Sequence, residues 1–254
     1  MQAVEARVAE AAAEGTDLMV FPACTGFVCS PDLPPVDASR KFLDDMTKLS
    51  VRYPGVAVCP GNLREADGGQ TFQYAVLLRG GDILLRQRQL YLSRREREEG
   101  LSRGQTQEYT QLDGFKICII AGTDVFYPQV SRHAALHGVN LALCPVALEK
   151  EGGLPLQLSG VWREVEQNQF FAVESCFCGV FEGEEYYGEP IIHAPLEMTA
   201  KSDGLLARGD AQNDTATAVL DNEKRIKGIA VFDVLSQLNP ELYQNMHLFG
   251  GGAK

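Results

Sequence analysis

Residues 120–129, IAGTDVFYPQ, carry a buried apolar strand into a short turn that holds a threonine, an aspartate and two aromatic rings. Open α/β architectures collect their chemistry at such junctions, at the carboxyl ends of strands. Where this turn would present a reactive side chain stands Gly122, followed by Thr123 and Asp124. The seven cysteines are an odd set. Cys59, Cys118, Cys144, Cys176 and Cys178 fall in apolar strand-like runs, where a reduced thiol behaves as a small hydrophobe and is expected to be buried. Cys176-Phe177-Cys178 has the wrong spacing for a zinc knuckle, and Cys24 with Cys29 lacks a second pair. No metal site and no cofactor are therefore expected. His133 and His137 lie four apart on a helix, a spacing that can bind zinc, but neither a third ligand nor the acidic base of an HExxH pattern accompanies them. Solvent or a subunit contact is their expected neighbour. Arg86, Arg88, Arg94, Arg95 and Arg97 form the basic cluster, without interleaved aromatics for base stacking and with acidic neighbours. By composition, Arg94–Glu99 (RREREE) reads as a solvated, ion-paired helix face.

These residues must be positioned by an alternation of helices and strands. Gln2–Glu14 is an alanine-rich helix stopped by Gly15, and Asp17–Phe21 is a short apolar strand closed by Pro22. Ser39–Tyr53 has amphipathic helical spacing, VAVCPGNL reads as a strand, and Gln70–Leu92 reads as a hairpin turned at Arg79-Gly80-Gly81-Asp82. The strand GFKICIIAG, the helix PQVSRHAALHG and the buried strand VNLALCPVAL follow. Trp162–Gln169 opens a helix that runs into the strand FFAVESCFCGVF, with Trp162 packing the helix end against the fold or a partner subunit. After the acidic, aromatic loop EGEEYYGEP come PIIHAP and a hairpin-like pair around Gly204 and Asp221-Asn222. The tail, about residues 238–254, reads as loop with one short helix after Pro240 and a flexible or partner-wrapping Gly250–Gly252. No internal repeat or low-complexity linker divides the 254 residues, so a single domain over 1–254 is expected.

Composition narrows the partners. A net charge of −11 argues against a general nucleic-acid or anionic-membrane surface, because affinity there rests on cationic neutralisation of phosphates. No apolar stretch approaches the roughly 20 residues of a membrane span, and no signal-peptide pattern opens the sequence. Cytoplasmic localisation is the expectation.

In order and spacing, EGTDLMVFPACTGF, GNLRE, RQRQLYLSRREREEGLSRG, GFKICIIAGTDVFYPQ, GVNLALCPVAL and WREVEQNQFFAVESCFCG resemble the carbon–nitrogen hydrolase (nitrilase) superfamily across nearly the whole chain. The resemblance implies an α/β fold, a four-layer α-β-β-α sandwich that commonly pairs into an eight-layer homodimer through helices near Gln129–His137 and Trp162–Gln169. It also calls for a strand ahead of the first helix. With Met1 already at the helix start that first strand is missing, so either the start is misassigned or the sequence is shortened, or another segment covers the exposed edge.

What the resemblance implies about chemistry is a glutamate base, a lysine at the developing oxyanion and a cysteine that forms a thioester with amides or nitriles. The three positions are held here by Ala23, Gln89 and Gly122. A catalytically inert homologue is the expectation, with a ligand-binding, scaffolding or regulatory role. Cys24, Glu96, Glu98, Thr123, Asp124 and Phe126 are the candidate residues of a surviving pocket for a small-molecule ligand. The alternative is an amidohydrolase of non-peptide C–N bonds with a rearranged residue such as Cys24, which the extended chain after Ala23 would turn away from the pocket. Thr123 without a base is a weak nucleophile, and Cys118 lies about 13 Å further down its strand.

Overall fold

Two runs of β-branched and aliphatic residues pair into separate six-stranded sheets, and the amphipathic helices between them cover the outer faces. The computed structural model describes residues 1–209 and 215–245. The first half contains α1 (Gln2–Ala13), β1 (Leu18–Val20), α2 (Thr25–Val28), α3 (Pro35–Arg52), β2 (Ala57–Cys59), β3 (Asn62–Asp67), β4 (Gln70–Arg79), β5 (Asp82–Arg88), α4 (Arg94–Glu98) and β6 (Leu101–Ser102). β4 is the hub: β2 and β3 pair along one edge, β5 and β6 along the other, and β1 extends the sheet by parallel pairing with β2. Val8 of α1 and Phe42, Met46 and Leu49 of α3 seal its outer face against Val58, Tyr74, Val76 and Leu78.

The second half contains β7 (Thr110–Leu112), β8 (Phe115–Ile119), α5 (Pro128–Leu136), β9 (Leu141–Ala147), α6 (Gly153–Gln157), α7 (Arg163–Asn168), β10 (Phe171–Phe177), β11 (Gly179–Phe181), β12 (Glu184–Tyr186), β13 (Ile191–His193), β14 (Leu205–Arg208), α8 (Asn222–Ile229) and α9 (Pro240–Asn245). Its sheet runs β14-β13-β10-β9-β8-β7, with β8, β9 and β10 parallel. Inner-face residues Ala57, Ala75 and Leu77 of the first sheet meet Ile117, Leu141, Leu143 and Phe171 of the second. Val130 and Ala134 of α5 and Val165 of α7 cover Cys118, Ala142 and Cys144 on its outer face. The layers are α-β-β-α, as expected.

Several boundaries differ from the sequence reading. α3 starts four residues earlier than Ser39, because Pro35 at its first turn needs no N–H partner there. VAVCPGNL is two strands, broken where Gly61 adopts a φ of +95°; a Cβ there would meet the Pro22 carbonyl at 2.2 Å, so the turn after β1 lies directly on this glycine. The expected hairpin around Gly204 and Asp221-Asn222 is a correction. Leu205–Arg208 pairs with β13, whereas Asp221 caps α8, its carboxylate accepting the Lys224 N–H at 3.0 Å. Cys178 is exposed, at the break between β10 and β11, and not buried. The short helix after Pro240 is α9; Gly250–Gly252 lie outside the described residues.

Candidate functional site

The ends of β1, β5 and β8 carry the three positions of interest. Gly122 begins a 3₁₀ turn, Gly122–Phe126, with φ +56°, a left-handed conformation that strains any residue bearing a Cβ. Facing it is the side chain of Gln89, which is fully buried just beyond β5. A Cβ on residue 122 would stand 2.8 Å from Gln89 Oε1 and 3.1 Å from its Cδ. The space a nucleophile would need is therefore taken by an amide.

That amide is tied on every side. Gln73 Nε2, from β4, donates to Gln89 Oε1 at 2.5 Å. Gln89 Nε2 lies 2.8 Å from the Tyr91 carbonyl, 2.8 Å from Thr123 Oγ1 and 3.0 Å from Glu96 Oε2. Thr123 donates its own hydroxyl hydrogen to the Tyr91 carbonyl at 2.6 Å, so its proton faces no base. The main chain of Gln89 is equally fixed, between the Gln73 carbonyl and the Gly104 N–H.

Glu96 is placed by a capping box at the start of α4: Ser93 Oγ accepts the Glu96 N–H, and the Glu96 carboxylate accepts the Ser93 N–H at 2.7 Å. The same carboxylate accepts from Gln73 at 3.1 Å. Glu96 is thus in the site, whereas Glu98 is not: it is exposed and paired with Arg94 at 2.7 Å, as the reading of RREREE by composition expects. Asp124 is buried and accepts the N–H groups of Leu90 at 3.0 Å and Tyr91 at 2.7 Å, which fastens the 3₁₀ turn to the segment after Gln89. Burial outweighs those donors and pushes its carboxyl up to about 7. Phe126 faces away, packing beside Gly160 under the outer helices.

Ala23 is buried; its carbonyl accepts the Asn62 N–H at 2.9 Å, and its side chain carries no proton-transfer group. Cys24 begins α2 and is buried with Phe27 and Ala38 against Phe177 and Phe181. Burial first, then the Glu182 charge, pushes its thiol up to about 12, against the pull of Arg64 and Arg95. The carboxylates that would have to activate it, Glu96 and Glu98, are engaged elsewhere. A thiol this protonated is a poor nucleophile.

Gln73 was missed by sequence reasoning, because only the β4–β5 pairing brings it against Gln89. The hairpin β11–β12 closes over this end of the sheets. Arg95 of α4 donates to Glu182 at its turn at 2.8 Å, and the rings of Phe27 and Phe181 stack with centroids 5.9 Å apart. Among the described residues no helix is long and apolar enough to cross a membrane, and no group of three or more His, Cys, Asp or Glu side chains is arranged to hold a metal ion.

A family profile described as carbon-nitrogen hydrolase matches residues 1–205. A probable hydrolase of Bacillus subtilis (strain 168), YhcX, is 27% identical over 174 residues, which cover 66% of this chain and 34% of that protein. The match thus spans about a third of the length of that curated relative. The structure of the NitN amidase from Nesterenkonia sp. AN1 superposes with a TM-score of 0.75 at 17% identity, covering 96% of this chain and 91% of the amidase. A cysteine-to-serine variant of that amidase, described as of the nitrilase superfamily, gives 0.76 at 17% identity over 96% of this chain and 90% of its own. At such identity these structures are similar to this chain in fold alone.

Proposed function

This chain belongs to the carbon–nitrogen hydrolase family, and from that premise we propose that it is a member without turnover, a pseudoenzyme with a ligand-binding, scaffolding or regulatory role as a homodimer. The observation that carries the reading is the Gln89 side chain standing where a nucleophile on residue 122 would project. Thioester chemistry needs a sulfur at the turn, a base to move its proton and a cation at the oxyanion. Residue 122 supplies no side chain, residue 23 no base and residue 89 only a neutral dipole. Removing one member of such a unit can cost nearly as much as removing all of it. The other groups at hand do not replace it: Thr123 is held by a carbonyl, and the Cys24 thiol stays protonated.

The test is an assay of the purified protein against amides, nitriles and N-carbamoyl compounds, with release of ammonia or carboxylate followed over hours. The expected rate equals the buffer control, and an electrophilic amide analogue leaves no adduct detectable by mass spectrometry. Saturable hydrolysis that disappears in Cys24→Ser would reverse the proposal in favour of an amidohydrolase with a relocated nucleophile. Native mass spectrometry of the protein as purified addresses the binding role by weighing any small molecule it retains.

A further inference from the structure

We propose that the cavity between α2, the start of α3 and the β11–β12 hairpin binds a small primary alkylammonium ion, with the Glu182 carboxylate and the Ser30 hydroxyl as its polar partners. The site goes beyond the reading above, because it stands whether or not the chain hydrolyses amides. The cavity has a volume of about 70 Å³, and none of Gln89, Glu96 and Gly122 lines it. One water needs roughly 10–15 Å³ of such space, so a ligand of about five non-hydrogen atoms fits. Part of the wall is stiff: Pro31 and Pro35 have locked φ angles, and Leu33 stands between them. The rings of Phe27 and Phe181, stacked on each other, belong to the same lining. Such a lining receives an alkyl chain, and the few polar groups in it decide what the chain must carry.

Those polar groups are Ser30 and Glu182. Ser30 is 8% exposed, and its hydroxyl has no hydrogen-bond partner among the described residues, a costly state for a buried hydroxyl that nothing else meets. Arg95 donates to Glu182 Oε2 at 2.8 Å, and no hydrogen bond among the described residues reaches Oε1. The backbone also singles out Glu182. Phe181 pairs with Glu184, so Glu182-Gly183 is a two-residue turn, with φ of +51° and +82°. Glycine, asparagine and aspartate accept the first position of such a turn; a glutamate is strained there, and here it sets a carboxylate at the mouth of the cavity. Of the charges that act on the neighbouring Cys24, that of Glu182 is the strongest, ahead of Arg64 and Arg95. Both arginines are already paired with Glu99, at 2.6 and 3.0 Å. Arg64 lies 5.7 Å from the Phe27 ring centroid, so the π-surface in this lining already attracts a cation. A primary ammonium brings three hydrogens, enough for Glu182 Oε1, Ser30 Oγ and a water. An anion of the same size would meet Glu182 as a like charge.

The test titrates the untagged full chain with n-butylammonium chloride by calorimetry at neutral pH and constant ionic strength, beside 1-butanol and sodium butyrate. Saturable binding of one ammonium per chain, tighter than about 1 mM, is expected, with the alcohol weaker by about tenfold and no saturation by butyrate. Glu182→Gln should weaken the ammonium by about tenfold and leave the alcohol unchanged, and Ser30→Ala should weaken both by about threefold. Arg95→Gln breaks the same ion pair from its other side and should not weaken the ammonium. If Glu182→Gln loses the parental circular dichroism spectrum, Glu182→Asn, which suits a left-handed turn, replaces it. Parent-like ammonium affinity in the residue-182 variant overturns the proposal, as does equal weakening by Arg95→Gln, which would assign the effect to closure of the hairpin. The lack of saturable ammonium binding tighter than about 1 mM in the parent overturns it too.

Discussion

At the scale of single residues the decisive contact is between Gly122 and Gln89, and it makes a prediction opposite to simple restoration. Gly122→Cys should destabilise the fold by about 1–3 kcal/mol, because the new side chain meets a pinned amide and residue 122 stays at positive φ. Shortening the obstacle with Gln89→Ala in the same chain should recover part of that loss. A urea-denaturation cycle over the two substitutions checks the coupling; additive costs would mean that the two side chains do not compete for one space. The glycine was legible through the family resemblance, which puts the cysteine two residues before Asp124 and so at Gly122. Gln73 was not, since a glutamine on a strand carries no sign of its partner until pairing across β4 and β5 sets it. Phe126 was read into the pocket because it follows Asp124 by two, but the 3₁₀ turn rotates it towards the outer helices.

At the scale of elements, α4 does two jobs with one carboxylate, and two substitutions separate them. Ser93→Ala removes the cap acceptor for the Glu96 N–H and should cost about 1 kcal/mol. Glu96→Ala removes its half of the capping box and also an acceptor of both Gln73 and Gln89, so it should cost about 1–3 kcal/mol. Equal losses in chemical denaturation would show that the polar cluster adds nothing beyond the cap. The helices and central strands were legible from apolar periodicity. Asp221-Asn222 was not, because an aspartate before asparagine suits a turn as well as an N-cap, and the choice falls to packing. α8 and the segment after it dock on the end of α7: Arg225 donates to the Gln169 carbonyl at 2.7 Å, and Gln169 Nε2 donates to the Phe232 carbonyl at 2.7 Å.

For the whole molecule, pairing through α5 and α7 remains our proposal, and sedimentation velocity at micromolar concentration should show a dimer; a monomer alone would refute it. Stability should also slope with pH. Asp124 and Glu166 are each raised to about 7, both chiefly by burial. The folded chain therefore binds more protons than the unfolded chain between about pH 4 and 7, and stability falls as pH rises through that window. Asp124 alone contributes a slope of up to about 1.4 kcal/mol per pH unit. Melting temperatures from pH 5 to 8 should fall, and Asp124→Asn should flatten the fall; an unchanged slope would assign it to other groups. The plugged turn has a historical consequence as well. A descendant that regained cysteine at residue 122 would first meet the Gln89 amide, and one that cleared residue 89 first would gain no nucleophile. Neither first step offers selection anything to keep, so the loss of hydrolysis that we propose for this chain would behave as a ratchet.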